Sequence, residues 1–174
     1  MGVRMERVVA QETSMIADEV GRALDGDAWH GPSISDALAS VNCETATDRP
    51  IPGAHNIWEI VLHMTAWANE VERRLRERAN PLPDEDDWPP VREVDSPSWE
   101  SARGALRDAH ARLRQTIRDF SPVRLGEPVW FGADEHDEGS FYVMLHGLAQ
   151  HDAYHTGQIA MLKRAGERKA GDRS

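Results

Sequence analysis

Apolar residues recur every three or four positions along four long stretches of the chain, and no stretch shows the strict alternation of a half-buried strand. The pattern predicts an all-α protein. Met5, Val8, Val9, Thr13, Ile16, Val20 and Leu24 carry the first helix, from about Val3 to Leu24, and the Gly-, Asp- and Pro-rich "DGDAWHGP" ends it. A short helix is expected in "SISDALASV", capped by Ser33 or Ser35. "NCETATDRPIPGAHN" reads as loop, its two prolines barring a regular helix.

The second long helix begins near His55 or Asn56 and runs to about Ala79, with Ile57, Ile60, Val61, Met64, Ala68, Val71 and Leu75 as its stripe. Asn56 and Glu59 have the spacing of a capping box. "NPLPDEDDWPPVREVD" has four prolines and an acidic run, so it is expected to be a long loop that crosses the bundle or covers something. The run "DEDD" reads as a solvated surface. Ser96 and Pro97 supply the cap and first-turn proline of the third helix, which continues through Trp99, Ala102, Leu106, Ala109, Leu113 and Ile117 to about Phe120. The fourth starts near Ser140 and stops at Gly166, with Lys163 and Arg164 at the negative end of its dipole. The 174 residues then make one domain, a four-helix bundle over residues 1–166, with 167–174 as a frayed tail.

Composition removes several function classes. A formal charge of -10 argues against nucleic acid, whose phosphates are met by Lys and Arg. No apolar run has the length of a membrane span and the N-terminus lacks the apolar centre of a signal peptide, so no membrane partner and a cytoplasmic location are expected. The single cysteine, Cys43, has no partner for an internal disulfide and no histidine at a diagnostic spacing, and reads as a partly buried thiol.

One interruption of the fourth stripe carries chemistry. Phe141, Met144, Leu145 and Leu148 lead into His151 and His155 before the stripe resumes at Ile159 and Leu162. Four residues apart on a helix, the two imidazoles stack on one face and can chelate one metal ion; the pair alone is equally consistent with two hydrogen-bonded core histidines. His63 sits mid-helix at the edge of the second stripe, one turn from Ile60 and Trp67. Facing helices can bring it onto the pair, giving three nitrogen ligands suited to zinc, nickel or iron. The other histidines point elsewhere: His110 lies in the charged "RDAHARLR", His136 in the acidic "DEHDE", and His146 off the face of the pair, all read as solvated, while His55 and His30 can lie near a site without their spacing requiring it.

The segments "IWEIVLHMTAWANE" and "HGLAQHDAYHTGQIAMLKR", some ninety residues apart, together resemble the DinB/YfiT-like superfamily, whose fourth helix carries H-x-x-x-H-x-G-Q-I or a close variant. The likeness is specific in these two segments, where Trp58 and the "GQI" at 157–159 are both in place, and rests on architecture and length between them. It implies an up-down-down-up four-helix bundle, a divalent metal on His63, His151 and His155, and a homodimer. The long acidic loop suits the parallel second and third helices of that topology.

A three-histidine site with an open position can activate a low-molecular-weight thiol such as bacillithiol or mycothiol for attack on an electrophile, as in relatives the chain resembles, or a water for hydrolysis. A fourth protein ligand would instead make it a sensor, store or structural site. Glu59 and Gln158 are the candidate catalytic groups, with plainer roles as a capping carboxylate and as a group that orients a ligand histidine. Asp152 and Tyr154 neighbour the ligands and read as helix-helix hydrogen-bonding groups, and Trp58, Trp67 and Trp130 line a pocket or pack the core or a dimer interface.

Overall fold

The computed structural model describes residues 2–77, 82–129 and 139–171. Seven α-helices occur among them: α1 (Gly2–Asp25), α2 (Ile34–Leu38), α3 (Cys43–Thr47), α4 (Ile57–Arg76), α5 (Asp84–Asp87), α6 (Ser96–Asp119) and α7 (Phe141–Gly171). A 3-10 turn, Pro122–Arg124, follows α6, and no strand is formed among the described residues, so the all-helical reading holds.

The sequence signals act locally as expected at several ends. Ser33 caps α2 with a reciprocal Asp36 contact, and Asn56 caps α4 while Glu59 returns to the Asn56 N–H. Asn56 is itself buried, so replacing it with alanine deprives the Glu59 N–H of its acceptor. Asn56→Ala is expected to lower stability by about 1 kcal/mol, measured by urea denaturation.

Four expectations need correction. The segment read as loop before α4 contains α3, because the Asn42 side chain accepts from the Thr45 N–H at 2.8 Å and the prolines fall only after the helix has ended. The long acidic connection contains α5, whose four carboxylates all lie in its first turn, where the helix dipole favours negative charge. The cap of α6 is Asp95, one residue before Ser96, accepting from the Ser98 N–H at 2.7 Å. Finally, α7 runs through Gly166 to Gly171, since Gly166 keeps negative φ and good helix formers flank it. Lys163 accordingly donates to the Ala37 carbonyl of α2 at 2.8 Å rather than serving the end of its own helix.

The four long helices each pack on two others: α6 on α1 and α4, and α7 on α1 and α4. Trp58 meets Trp99 near the starts of α4 and α6, and Asn69 meets Arg112 further along both, so these two run side by side in the same direction. Asp25 pairs with Arg114 and Asp18 with Arg118, so α1 runs opposite to α6.

Among the described residues the core has two apolar clusters. One holds Ile16, Val20, Val71, Leu75, Leu113, Ile117, Phe120, Phe141, Leu145 and Leu148; the other holds Leu24, Ile34, Ile57, Trp58, Ile60, Met64, Trp99, Leu106, Ile159 and Leu162. On α7 the first ends at Ala149 and the second resumes at Ile159. Between them lies a polar layer containing His63, His110, Asp152 and His155, all buried. Buried polar groups need partners or a ligand, and that requirement defines the site.

Candidate metal centre

α4 carries His63 and α7 carries His151 and His155, one turn apart on the face turned to α4. His63 and His155 are buried, His151 is half-buried, and each can offer a nitrogen such that the three lie within 4.8 Å of one another. The Nε2 atoms of His63 and His151 are 2.9 Å apart, and the ring centroid of His155 is 4.7 Å from that of His63 and 4.4 Å from that of His151.

The far sides of the rings fix which nitrogens face inward. His63 Nδ1–H donates to the Asp87 carbonyl at 2.7 Å, and His155 Nδ1–H donates to Gln158 Oε1 at 2.7 Å. Each bond selects the tautomer whose Nε2 is a bare acceptor. His151 Nδ1 is buried without a hydrogen-bond partner and faces Asp152 Oδ1, itself unpartnered, at 3.8 Å. Burial pushes the His155 pKa down to about 4, helped by the nearby His151, and burial also lowers His63 against the pull of Asp87. Both imidazoles are therefore neutral at pH 7, the ligand form. Three converging ring nitrogens, two of them on rings whose outer N–H is already engaged, suit a soft or borderline divalent cation, so these residues fit a metal ion.

Residues of the long connection complete the surroundings. Trp88 stacks on His63 at 3.9 Å and on His55 at 3.6 Å, lying between the two rings. The Asp87 carboxylate accepts from Trp67 Nε1 at 2.7 Å and lies 3.3 Å from His63 Nδ1. The acidic run is thus not only a solvated surface, because its last member holds a candidate ligand. Nothing in the spacing of "DEDDW" signals this: it depends on the connection folding back over α4.

The other singled-out residues fall as follows. Glu59 is shared by Arg49, His55 and the Asn56 N–H. Although burial pulls its pKa upward, those three donors hold it below the usual carboxylate value. Gln158 reaches the site only through His155. Tyr154 is exposed, its ring edge against His155. Trp58 is core, packed on Trp99. His146 pairs with Glu19 at 2.9 Å, and His30 is exposed. Trp130, His136 and Ala79 lie outside the described residues.

His110 is the main correction. Far from solvated, it is wholly buried; its Nδ1–H donates to the Leu106 carbonyl at 3.0 Å and its Nε2–H to Asp152 Oδ2 at 3.0 Å. Donation from both nitrogens is the imidazolium form. Burial opposes the charge, but the Asp152 carboxylate outweighs it and raises the His110 pKa, while that of Asp152 is lowered against its own burial by His110. The signal was available in the sequence: Leu106, His110, Leu113 and Ile117 continue one stripe, and the charged neighbours masked it.

Two clefts matter for access. One of about 300 Å³ abuts the triad and is lined by Trp67, Val71, Val129, Met144, Leu148 and His151 among others. A larger one, about 930 Å³, lies between α1 and α7, with Met15, Trp29 and Tyr142 in its wall and none of the three histidines.

The model of the DinB superfamily matches residues 29–159, a span that contains all three histidines and the glutamine that holds one of them. Comparison with curated proteins and with solved structures gives no significant match.

Proposed function

The chain belongs to the DinB superfamily, and on that premise we propose that His63, His151 and His155 hold one divalent transition-metal ion that serves the transfer of a low-molecular-weight thiol to an electrophilic small molecule. The observation that carries this reading is the convergence of three imidazoles whose outer nitrogens are bonded or turned away. Zinc or nickel suits neutral nitrogen donors best, with iron next. The parallel α4 and α6 and the opposed α1 and α6 support an up-down-down-up four-helix bundle.

A divalent ion at this position would lower the pKa of a thiol or water that approaches it. In the transfer, a sulfur–carbon bond forms, the leaving group departs with the bonding pair, and the thiol proton passes to solvent. Gln158 and the Asp87 carbonyl act as positioning groups, keeping the His155 and His63 rings in the ligating tautomer. Trp88 covers one face of His63 and keeps water from it. Glu59, engaged by three donors, organises the start of α4 and His55 rather than serving as a free base. The reading extends to a cytoplasmic homodimer without nucleic-acid or membrane partners. Consistent with it, no helix among the described residues is long and apolar enough to cross a membrane.

Elemental analysis of the purified protein beside His151→Ala/His155→Ala tests the site. About one ion per chain is expected in the wild type and nearly none in the variant; equal contents would remove the assignment. Activity is then tested with monochlorobimane and several cellular thiols, alongside ester and amide substrates. Thiol-dependent turnover that the variant lacks is expected. Hydrolysis without thiol would replace transfer by hydrolysis, and inertness with a full metal complement would make the site a binding or structural one.

A further inference from the structure

The cleft beside His151 has an unusual wall. On α7 its strip is Val143, Met144, Gly147, Leu148 and His151, spaced by single turns, so Gly147 lies directly before His151 on one face. A glycine inside a helix is less favourable than alanine and normally reflects a close neighbour or a special backbone conformation. Neither applies here: Gly147 keeps negative φ, and a Cβ built on it would meet nothing within 4 Å. What its missing side chain leaves is open room in the cleft.

The opposite wall comes from α4. Trp67 and Val71 line it, and Trp67 also lies against His151, with ring centroids 6.1 Å apart, so the cleft is continuous with the histidine cluster. Val71, Val129 and Leu148 are buried apolar residues that close its side. Arg74 is the charged residue of the lining, and its guanidinium is already engaged by Glu70 at 2.6 Å and placed 5.5 Å over the Trp67 ring. The lining therefore favours a neutral apolar body over an anion.

Resting on the metal reading of the triad, we propose that this cleft binds the apolar, ring- or chain-bearing part of the electrophilic substrate, with the reacting polar group toward His151, and that Gly147 sets the size of substrate admitted. At about 300 Å³ the cleft has room for one or two aromatic rings or an alkyl chain of similar bulk. The charged thiol partner approaches from elsewhere.

Two metal-chelating probes that differ only in their body test this: benzohydroxamate and acetohydroxamate, titrated calorimetrically into the full-length metal-loaded protein. The wild type is expected to bind benzohydroxamate about 10- to 100-fold more tightly, as burial of a phenyl ring predicts. Gly147→Leu, with metal content retained and a melting temperature at or above that of the wild type, is expected to remove most of that preference. Val143→Trp narrows the cleft from a position 54% exposed, where the fold is insensitive, and is expected to act in the same direction. Equal affinity of the wild type for the two probes would overturn the cleft assignment, as would a preference that survives both variants. If protein that holds its metal binds neither probe, the open site itself is wrong, and the cleft loses its role with it.

Discussion

His110→Ala is expected to lower the unfolding free energy by about 3–5 kcal/mol, the penalty for removing one partner of a buried ion pair. The substitution leaves the Asp152 carboxylate, 0% exposed, without the Nε2–H that holds Oδ2 at 3.0 Å. Asp152 Oδ1 has no hydrogen-bond partner to fall back on. In a domain of this size such a loss corresponds to a fall in melting temperature of about 6–20 °C, readable by circular dichroism. The double variant His110→Phe/Asp152→Leu removes both charges and is expected to recover most of the loss, because an apolar pair of similar volume avoids the desolvation of two ions. A single variant that melts within a degree or two of the wild type would show that the pair is not the hydrogen-bonded ion pair described. Because Asp152 adjoins His151, metal content measured on both variants separates the stability of the bundle from the integrity of the triad.

Acidification of metal-free protein should have an effect of similar size. His155 titrates at its ordinary value of 6.5 when unfolded and at about 4 when folded, since burial disfavours its charged form and His151 lies beside it. Between those values the unfolded chain binds the additional proton, so stability falls as pH falls from 6.5 to 4. A difference of that size corresponds to on the order of 3 kcal/mol by pH 4. His63, lowered by burial, adds in the same direction. The raised His110 acts oppositely: its contribution is complete below 6.5 and is lost as pH rises through its folded value. Comparing wild type with His155→Gln isolates the first effect. Urea denaturation at pH 7.0 and 4.5 should show a steeper loss in the wild type, and parallel losses would remove the perturbed His155. With metal bound, the same protons compete with the ion, and acidification should release it.

Helices and their caps were legible in the chain because they depend on groups three or four residues apart: the Asn56–Glu59 box, the Ser33 cap, and the stripe of apolar residues that each helix buries. The His151–His155 pair was legible for the same reason, being an i, i+4 relation on one helix. His63, 88 residues from His151, was a candidate from its place on the stripe of a facing helix, and the family pattern joined it to the pair. Errors arose where a short segment outweighed its composition: prolines concealed α3, a run of acidic residues concealed α5, and charged neighbours concealed that His110 sits on an apolar stripe.

The sequence by itself determined the helical class, the positions of the long helices and which residues could ligate. Periodicity and capping are local physics, written within a few turns of chain. Tertiary structure alone decided which nitrogen of each ring faces inward, through the Asp87 carbonyl for His63 and Gln158 for His155. It alone paired His110 with Asp152, 42 residues away, and laid Trp88 over His63. Those contacts join groups that no local spacing relates. They form because burial in the layer between two apolar clusters leaves each polar atom to find a partner there.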